Sequence, residues 1–157
     1  PPLEPTFIVT EEPDGTTKEW KAEFTIGEIE GIPIRVEMGV LQIPPRKNGR
    51  FSGVTTMWRG RVVERGDLNR ALGEAPGDLA RQRIMCLVHL DGLTLSYSKN
   101  SFAWRKIDRE DLIDVLRRHP IFREFRRFSV SYRRSSKNPS NFEKIDEAVS
   151  SVSTEEE

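Results

Sequence analysis

The sequence has few of the residues on which several large classes of protein depend. Its 157 residues include one cysteine, Cys86, so no disulfide can form within the chain, and a reducing, cytoplasmic location is expected. The two histidines, His89 and His119, lack the spacing to each other or to Cys86 that a zinc site requires. The sequence therefore predicts no metal site.

Long apolar runs and glycine-rich phosphate loops are also absent from the sequence. No stretch approaches the roughly 18 apolar residues of a membrane-spanning helix, and no signal-peptide pattern occurs. We therefore expect no membrane partner. Walker-type and GxGxxG motifs are missing and the carboxylates are scattered, so a self-contained enzyme is not expected.

Charge is balanced over the whole sequence but not along it. The 25 basic and 25 acidic residues cancel, so net charge does not indicate a nucleic-acid or membrane partner. Between residues 117 and 137, however, Glu124 is the single acid among many basic residues. This segment predicts either a solvated helix face or a surface that contacts the phosphates of DNA. The candidate nucleic-acid-binding residues are Arg117, Arg118, Arg123, Arg126, Arg127, Arg133 and Arg134.

Periodicity predicts strands in the first part of the chain. Residues 7–10 are a short strand candidate, and alternating apolar residues predict strands over 20–26 and 34–40. Three strands in close succession favour an antiparallel meander. Arg59–Gly60 separates two β-rich runs, which is typical of a hairpin.

The segment 82–104 predicts two further strands and a polar loop. Five consecutive apolar residues, 84–88, are typical of a strand buried on both faces, whereas the alternation over 93–97 indicates a strand with one wet face. Ser98, Lys99 and Asn100 then form a polar loop that is closed by aromatic residues.

Helices are predicted after the strands. Asp67 is a candidate cap for a short helix, and Asp108 for a longer one that ends before Pro120. Pro120 suits the first position of a second helix, whose phenylalanines fall on one stripe. This order of elements predicts an α+β fold, a mostly antiparallel sheet with helices on one face.

Composition divides the chain into a folded part and a tail. We expect one α+β domain over residues 1–134 and a polar, acidic, disordered tail over residues 135–157. Because the sequence begins Pro-Pro-Leu without a methionine, we also expect it to be a piece of a longer protein.

Two blocks of the sequence resemble a family of bacterial ATPases. Val88-His89-Leu90-Asp91-Gly92 and Ser98-Lys99-Asn100-Ser101-Phe102 are similar to the HLDG and TKD-x-F blocks of the GHKL superfamily, which includes gyrase, heat-shock-90, histidine kinases and MutL. Residues 53–63 resemble the hairpin pattern GF-x-x-x-R-x-GR-x-I of the same proteins. The sequence departs from the family at Asn100, where relatives carry an acid, and at Met85-Cys86, where they carry Gly-Glu.

The resemblance implies the transducer domain of such an ATPase, with the ribosomal-protein-S-five domain-two-like fold. In this family the transducer contributes one lysine to the γ-phosphate of ATP held by a neighbouring Bergerat-type domain. By position that catalytic residue is Lys99, and Ser98 and Asn100 complete the cofactor-binding loop around it. A compact ammonium group on a flexible stem suits contact with phosphate charge.

The family's nucleotide-binding motifs do not occur in these residues. We therefore expect ATP and Mg to be held mainly by a domain outside this chain, and the chain alone to be inactive. The implied partners are an N-terminal ATP-binding domain of the same protein, a second copy in a homodimer, and DNA, in repair, restriction or phage defence. The alternative from the residues alone is a non-catalytic module that binds nucleic acid or protein through the arginine-rich C-terminal helices.

Overall fold

A five-stranded, mostly antiparallel sheet organises the computed structural model, which describes residues 4–42, 51–93 and 108–132. The predicted α+β class is confirmed. The strands are β1 (Val9–Glu11), β2 (Thr17–Glu19), β3 (Lys21–Ile29), β4 (Ile32–Val40), β5 (Gly53–Trp58), β6 (Arg61–Arg65) and β7 (Ile84–His89). The helices are α1 (Leu79–Arg83), α2 (Arg109–Arg118) and α3 (Pro120–Ser131), with a 3₁₀ turn at Asn69–Ala71.

Strand β7 lies at the centre of the sheet, whose order is β3-β4-β7-β5-β6. It pairs antiparallel with β4 and parallel with β5, so both of its edges are occupied by strands from earlier in the chain. Cys86 and Val88 face the helices with no exposed surface, whereas Met85 and Leu87 on the opposite face are half-buried. The apolar run therefore forms a central strand, as predicted, but only one of its faces is fully buried.

Register places the core on one face of the sheet. Val36 of β4 lies opposite Val88 of β7, and Met38 lies opposite Cys86, so these side chains share a face. All four are buried, and α3 contacts both strands. The opposite face carries polar residues at the neighbouring positions, such as Glu37.

The predicted three-stranded meander is not observed, because the first strand does not join the large sheet. β1 pairs with β2 in a separate two-stranded sheet, and Phe7, just before β1, forms an isolated bridge with Leu41, just after β4. The carboxylate of Asp14 accepts hydrogen bonds from the Thr16 hydroxyl (2.6 Å) and amide (2.9 Å), which tighten the turn between them. These hydrogen bonds, the hydroxyl first, lower the pKa of Asp14. Local turn chemistry therefore closes a small hairpin instead of extending the large sheet.

The predicted bounds of α2 and the predicted start of α3 are confirmed. Asp108 forms a capping box with Asp111, whose backbone N–H donates to the Asp108 carboxylate over 2.8 Å. Pro120 is the first residue of α3, and Phe122 and Phe125 are buried. His119, which the sequence brings up only as a possible metal ligand, caps α3 by accepting a hydrogen bond from the Ile121 N–H through Nδ1.

The prediction of a short helix capped by Asp67 is wrong in both the type of helix and the residue at its N-terminus. The structure has a 3₁₀ turn over Asn69–Ala71 with Leu68 at its N-terminus, and Asp67 instead lies 3.4 Å from Arg109. The carboxamide of Asn69 accepts a hydrogen bond from the Val54 N–H over 2.7 Å, which ties this turn to β5. Helix α1 was not predicted, because five residues are too few to show a helical period.

The single cysteine and two tryptophans are accommodated by burial and by hydrogen bonds. Cys86 is fully buried, so it packs as a small hydrophobe, and burial raises the pKa of its thiol to about 12. The indoles of Trp20 and Trp58 both donate hydrogen bonds, to the Thr10 hydroxyl and the Leu93 carbonyl. Within the described ranges, no helix is long and apolar enough to cross a bilayer. The predicted tail, 135–157, and Trp104 lie outside the described residues.

Candidate functional site

The predicted cofactor-binding loop lies outside the described residues. Ser98, Lys99 and Asn100 fall among residues 94–107, between the described ranges 51–93 and 108–132. The nearest described part of the chain is the end of β7 and the elements around it.

Two of the three segments that resemble the family, residues 53–63 and 88–92, meet at one edge of the sheet. Because β5 and β7 are parallel, their carboxyl ends lie side by side, and the turns that follow them are neighbours. Leu90 donates its N–H to the Met57 carbonyl (2.9 Å), and the Trp58 indole donates to the Leu93 carbonyl (3.0 Å). Asp91 accepts a hydrogen bond from the backbone N–H of Arg59 over 2.6 Å. The β5–β6 hairpin and the HLDG block thus form one hydrogen-bonded unit.

Gly92 brings a third element to this edge. A Cβ atom at position 92 would overlap the carbonyl oxygen of Ile29, at the end of β3. Only glycine allows the backbone after β7 to approach β3 so closely. The end of β7 is therefore held between the β5–β6 turn on one side and the β3–β4 hairpin on the other.

The β5–β6 turn presents an arginine in an unusual backbone conformation. Arg59 and Gly60 have φ angles of 48° and 80°, both in the left-handed region. The guanidinium of Arg59 lies 4.6 Å from the centre of the Trp58 ring, in a cation–π contact. The sequence predicts the turn, and the signal for the special position of Arg59 is an arginine where asparagine, aspartate or glycine is usual.

His89 and Glu37 form a polar pair on the sheet face opposite the helices. The His89 Nε2 atom lies 2.6 Å from a carboxylate oxygen of Glu37, and Arg35 lies 3.7 Å from the same oxygen. His89 itself is buried. Among the residues that the structure describes, no group of three or more histidine, cysteine or carboxylate side chains could hold a metal ion. Glu37 therefore satisfies the hydrogen-bonding requirement of a buried histidine, which is a structural role.

Two arginines of the predicted nucleic-acid surface bind the protein itself. Arg126 donates from Nε to the Leu72 carbonyl over 2.8 Å. Arg117 donates to the Arg70 carbonyl and, over 2.9 Å, to the carboxylate of Glu74. The two side chains therefore satisfy carbonyls within the 3₁₀ turn and just after it, and attach that turn to α2 and α3.

The other three described arginines of that surface are exposed, in different surroundings. Arg118 lines an open cavity of about 650 Å³ whose remaining wall is mostly acidic. Arg123 and Arg127 lie four residues apart on the outer face of α3, and neither side chain has a hydrogen bond or ion pair within the described part of the chain. Arg133 and Arg134 lie outside the described residues. The acidic residues of the cavity are Glu28, Glu30, Asp111 and Asp114.

Arg83 is a structural residue that the sequence analysis missed. One of its terminal nitrogens donates to the carbonyls of Ser129 and Tyr132, each over 2.6 Å, at the C-terminal end of α3. Burial lowers the pKa of this guanidinium. Its partners lie 46 and 49 residues further along the chain, so no local pattern indicated the contact.

Comparison with known proteins identifies no family and no similar curated protein for this chain. No protein-family model matches this chain, and a search of curated proteins finds none that is significantly similar to it. The geometry of the described residues and the motif resemblance therefore carry the functional argument.

Proposed function

We propose that this chain is the transducer domain of a GHKL-type ATPase. The observation that carries the proposal is the contact between two of the three segments that resemble the family, residues 53–63 and 88–92. They are distant in sequence, yet the Arg59 N–H donates to Asp91 and the Trp58 indole donates to the Leu93 carbonyl. A motif that spans two separate segments gains weight when those segments form one structural unit beside a central strand.

In this proposal Lys99 contacts the γ-phosphate of ATP held by a neighbouring domain. Leu93 is anchored at the carboxyl end of β7, and Lys99 follows it by six residues, 99 − 93. A lysine presented from such an anchored segment responds to the presence of the γ-phosphate, because its ammonium loses its counter-charge after hydrolysis. The sheet then relays that change to the helices packed on it.

The proposal requires partners outside this chain. An ATP-binding domain of the same protein would hold ATP and Mg through a catalytic glutamate, an asparagine and a DxGxG motif, and a second copy would complete a homodimer. Reading the coding sequence upstream of Pro1 is the first test. An open reading frame without those motifs would remove the basis for the proposal.

Lys99→Ala in the full-length protein is expected to lower kcat/KM for ATP by about 10- to 100-fold, the effect of losing one charge-assisted hydrogen bond. ADP affinity is expected to stay the same, because ADP lacks the γ-phosphate. Steady-state phosphate release and ADP titration measure the two quantities.

The matched control is Lys21→Ala, which removes an exposed lysine from β3, on the other side of the sheet from β6. It is expected to retain the ATP turnover of the unaltered protein. Thermal unfolding of both variants separates a loss of chemistry from a loss of fold. Unchanged turnover in Lys99→Ala would exclude the role proposed for that lysine.

A second candidate function is contact with nucleic acid, and Arg123 and Arg127 favour it. Both side chains are exposed, and neither has an ion pair within the described part of the chain. Unlike Arg118, they lie outside the acidic cavity. Their four-residue spacing places both on one side of α3, where they can follow a phosphate backbone without reading bases.

Arg123→Glu combined with Arg127→Glu is expected to weaken binding to a short DNA duplex about tenfold or more and to reduce the salt dependence of log K by roughly two. Fluorescence anisotropy at several salt concentrations measures both. Arg118→Glu against Arg127→Glu is the matched comparison, since each reverses one charge and only Arg118 lies among carboxylates. Equal effects of these two single variants would indicate a general charge effect and no interface on α3.

A further inference from the structure

A single residue, His119, joins α2 to α3. It follows the last residue of α2 and precedes Pro120, the first residue of α3, so it caps both helices. Its backbone N–H donates to the Leu116 carbonyl over 3.1 Å, and its carbonyl accepts from the Arg123 N–H over 3.0 Å. The backbone of His119 is therefore held by both helices.

The imidazole ring of His119 makes two contacts. Its Nδ1 atom accepts a hydrogen bond from the Ile121 N–H over 3.2 Å, which caps α3. The ring also stacks on Phe24 of β3, with the ring centres 4.1 Å apart and the planes inclined by 19°. Phe122, on the same turn of α3 as Ile121, has no exposed surface. The cap therefore supports the turn that carries a core side chain.

The hydrogen bond from Ile121 exists only while Nδ1 of His119 carries no proton. A neutral imidazole has one N–H and one acceptor nitrogen, whereas the imidazolium ion carries a proton on both nitrogens. Because Nδ1 accepts here, the neutral ring holds its proton on Nε2, and a second proton binds to Nδ1. Protonation therefore replaces the acceptor with a donor that faces the Ile121 N–H. It also places a positive charge at the positive end of the α3 dipole.

The side chains of β3 beside Phe24 supply no charge to the ring. Ala22 and Ile26 pack against the core and do not ionise. Lys21 and Glu23 alternate with Ala22 and so lie on the opposite face of the sheet. Stacking on Phe24 is attractive for a cation, but the ring face offers no acceptor to the Ile121 N–H.

The two helices bring charges of both signs towards the junction. Arg118 precedes His119 and Arg123 follows it by one turn, whereas Glu124 is paired with Lys18 at 2.7 Å. Attraction from a carboxylate does not replace the lost acceptor, since a hydrogen bond requires contact distance and alignment. The carboxylates that share the open cavity with Arg118 are Glu28, Glu30, Asp111 and Asp114.

We propose that His119 is a pH-sensitive cap, which holds the first turn of α3 while its ring is neutral and releases that turn when the ring is protonated. The unfolded chain binds the same proton without losing a hydrogen bond, so stability falls as the pH falls. The relevant range is about pH 7.5 to 5.5, in which histidine changes its charge. The proposal requires neither a nucleotide nor a second domain, so it goes beyond the proposed function and does not depend on it.

Two substitutions at His119 separate the acceptor from the ring. His119→Asn keeps a capping acceptor that does not titrate, and His119→Phe keeps a ring for Phe24 without an acceptor. Over the stated pH range, the thermal midpoint of the unaltered chain is expected to fall by about 3–5 °C more than that of either variant, the effect of losing one cap. At the upper end of the range, His119→Phe is expected to have a lower midpoint than the unaltered chain. Circular dichroism measures both quantities.

Amide hydrogen exchange locates the effect within the chain. The protection factor of the Ile121 amide is expected to fall about fivefold as the pH is lowered in the unaltered chain, and to stay constant in His119→Asn. The proposal is overturned if the midpoint of the unaltered chain depends on pH no more than that of His119→Asn. Protection of Ile121 that does not change with pH also overturns it. If His119→Phe is as stable as the unaltered chain at the upper pH, the ring has a packing role alone and the cap is excluded.

Discussion

Replacement of Phe122 by alanine is expected to lower the free energy of unfolding by about 3–5 kcal/mol, the usual cost of truncating a buried phenylalanine. Phe122 has no exposed surface and is among the largest fully buried side chains of the described residues. It lies on the first turn of α3, the helix that packs against β4 and β7. The substitution removes apolar burial and leaves a cavity beneath the helix, because the sheet cannot collapse into the space.

Urea denaturation of the chain, followed by circular dichroism, measures this loss through the denaturation midpoint at constant slope. Val130→Ala is the matched control, since Val130 lies on the same helix and is 52% exposed. That control is expected to change stability by less than about 0.5 kcal/mol. A Phe122→Ala loss as small as that of the control would show that α3 does not dock on the sheet in solution.

Gly92→Ala is expected to cost about 2–3 kcal/mol of stability, the upper range for inserting a methyl group into a packed site. The new Cβ would overlap the backbone carbonyl oxygen of Ile29 and approach its Cβ to 2.9 Å. Backbone atoms at the end of a strand cannot rotate away as a flexible side chain can. Relief therefore requires separating β3 from the turn that carries Asp91, and so disturbs the edge on which Arg59 rests.

Gly77→Ala is the control for this experiment. Gly77 has no heavy atom within 4 Å of a built Cβ, so alanine there is expected to be neutral or stabilising by about 0.4–1 kcal/mol through the unfolded state. The same urea titration compares the two variants. If both alanines have the same effect, the close approach of the Gly92 turn to Ile29 does not exist in solution.

Features that depend on a few neighbouring residues were determined by the sequence alone. The capping box of Asp108, the start of α3 at Pro120 and the Arg59–Gly60 hairpin all follow from interactions within about one turn of chain. Asp67 shows the limit of this reasoning. It is a good helix cap in sequence, but the hydrogen bond that β5 donates to Asn69, from a residue 15 positions away, favours a 3₁₀ turn there.

Only the tertiary structure decided which strands flank β7 and which arginines remain free. The sequence predicts buried strands, but the backbone of any strand can form hydrogen bonds with that of any other. The pairing register follows from packing the whole face of the sheet. Arg117 and Arg126 look like the other arginines of their helices, yet each binds carbonyls that lie 46 to 54 residues away. Arg59 looks like an ordinary turn residue until its backbone angle and its contacts with Trp58 and Asp91 are known. Local chemistry determines where elements begin and end, whereas the choice among distant partners depends on the closure of the whole chain, which no short pattern encodes.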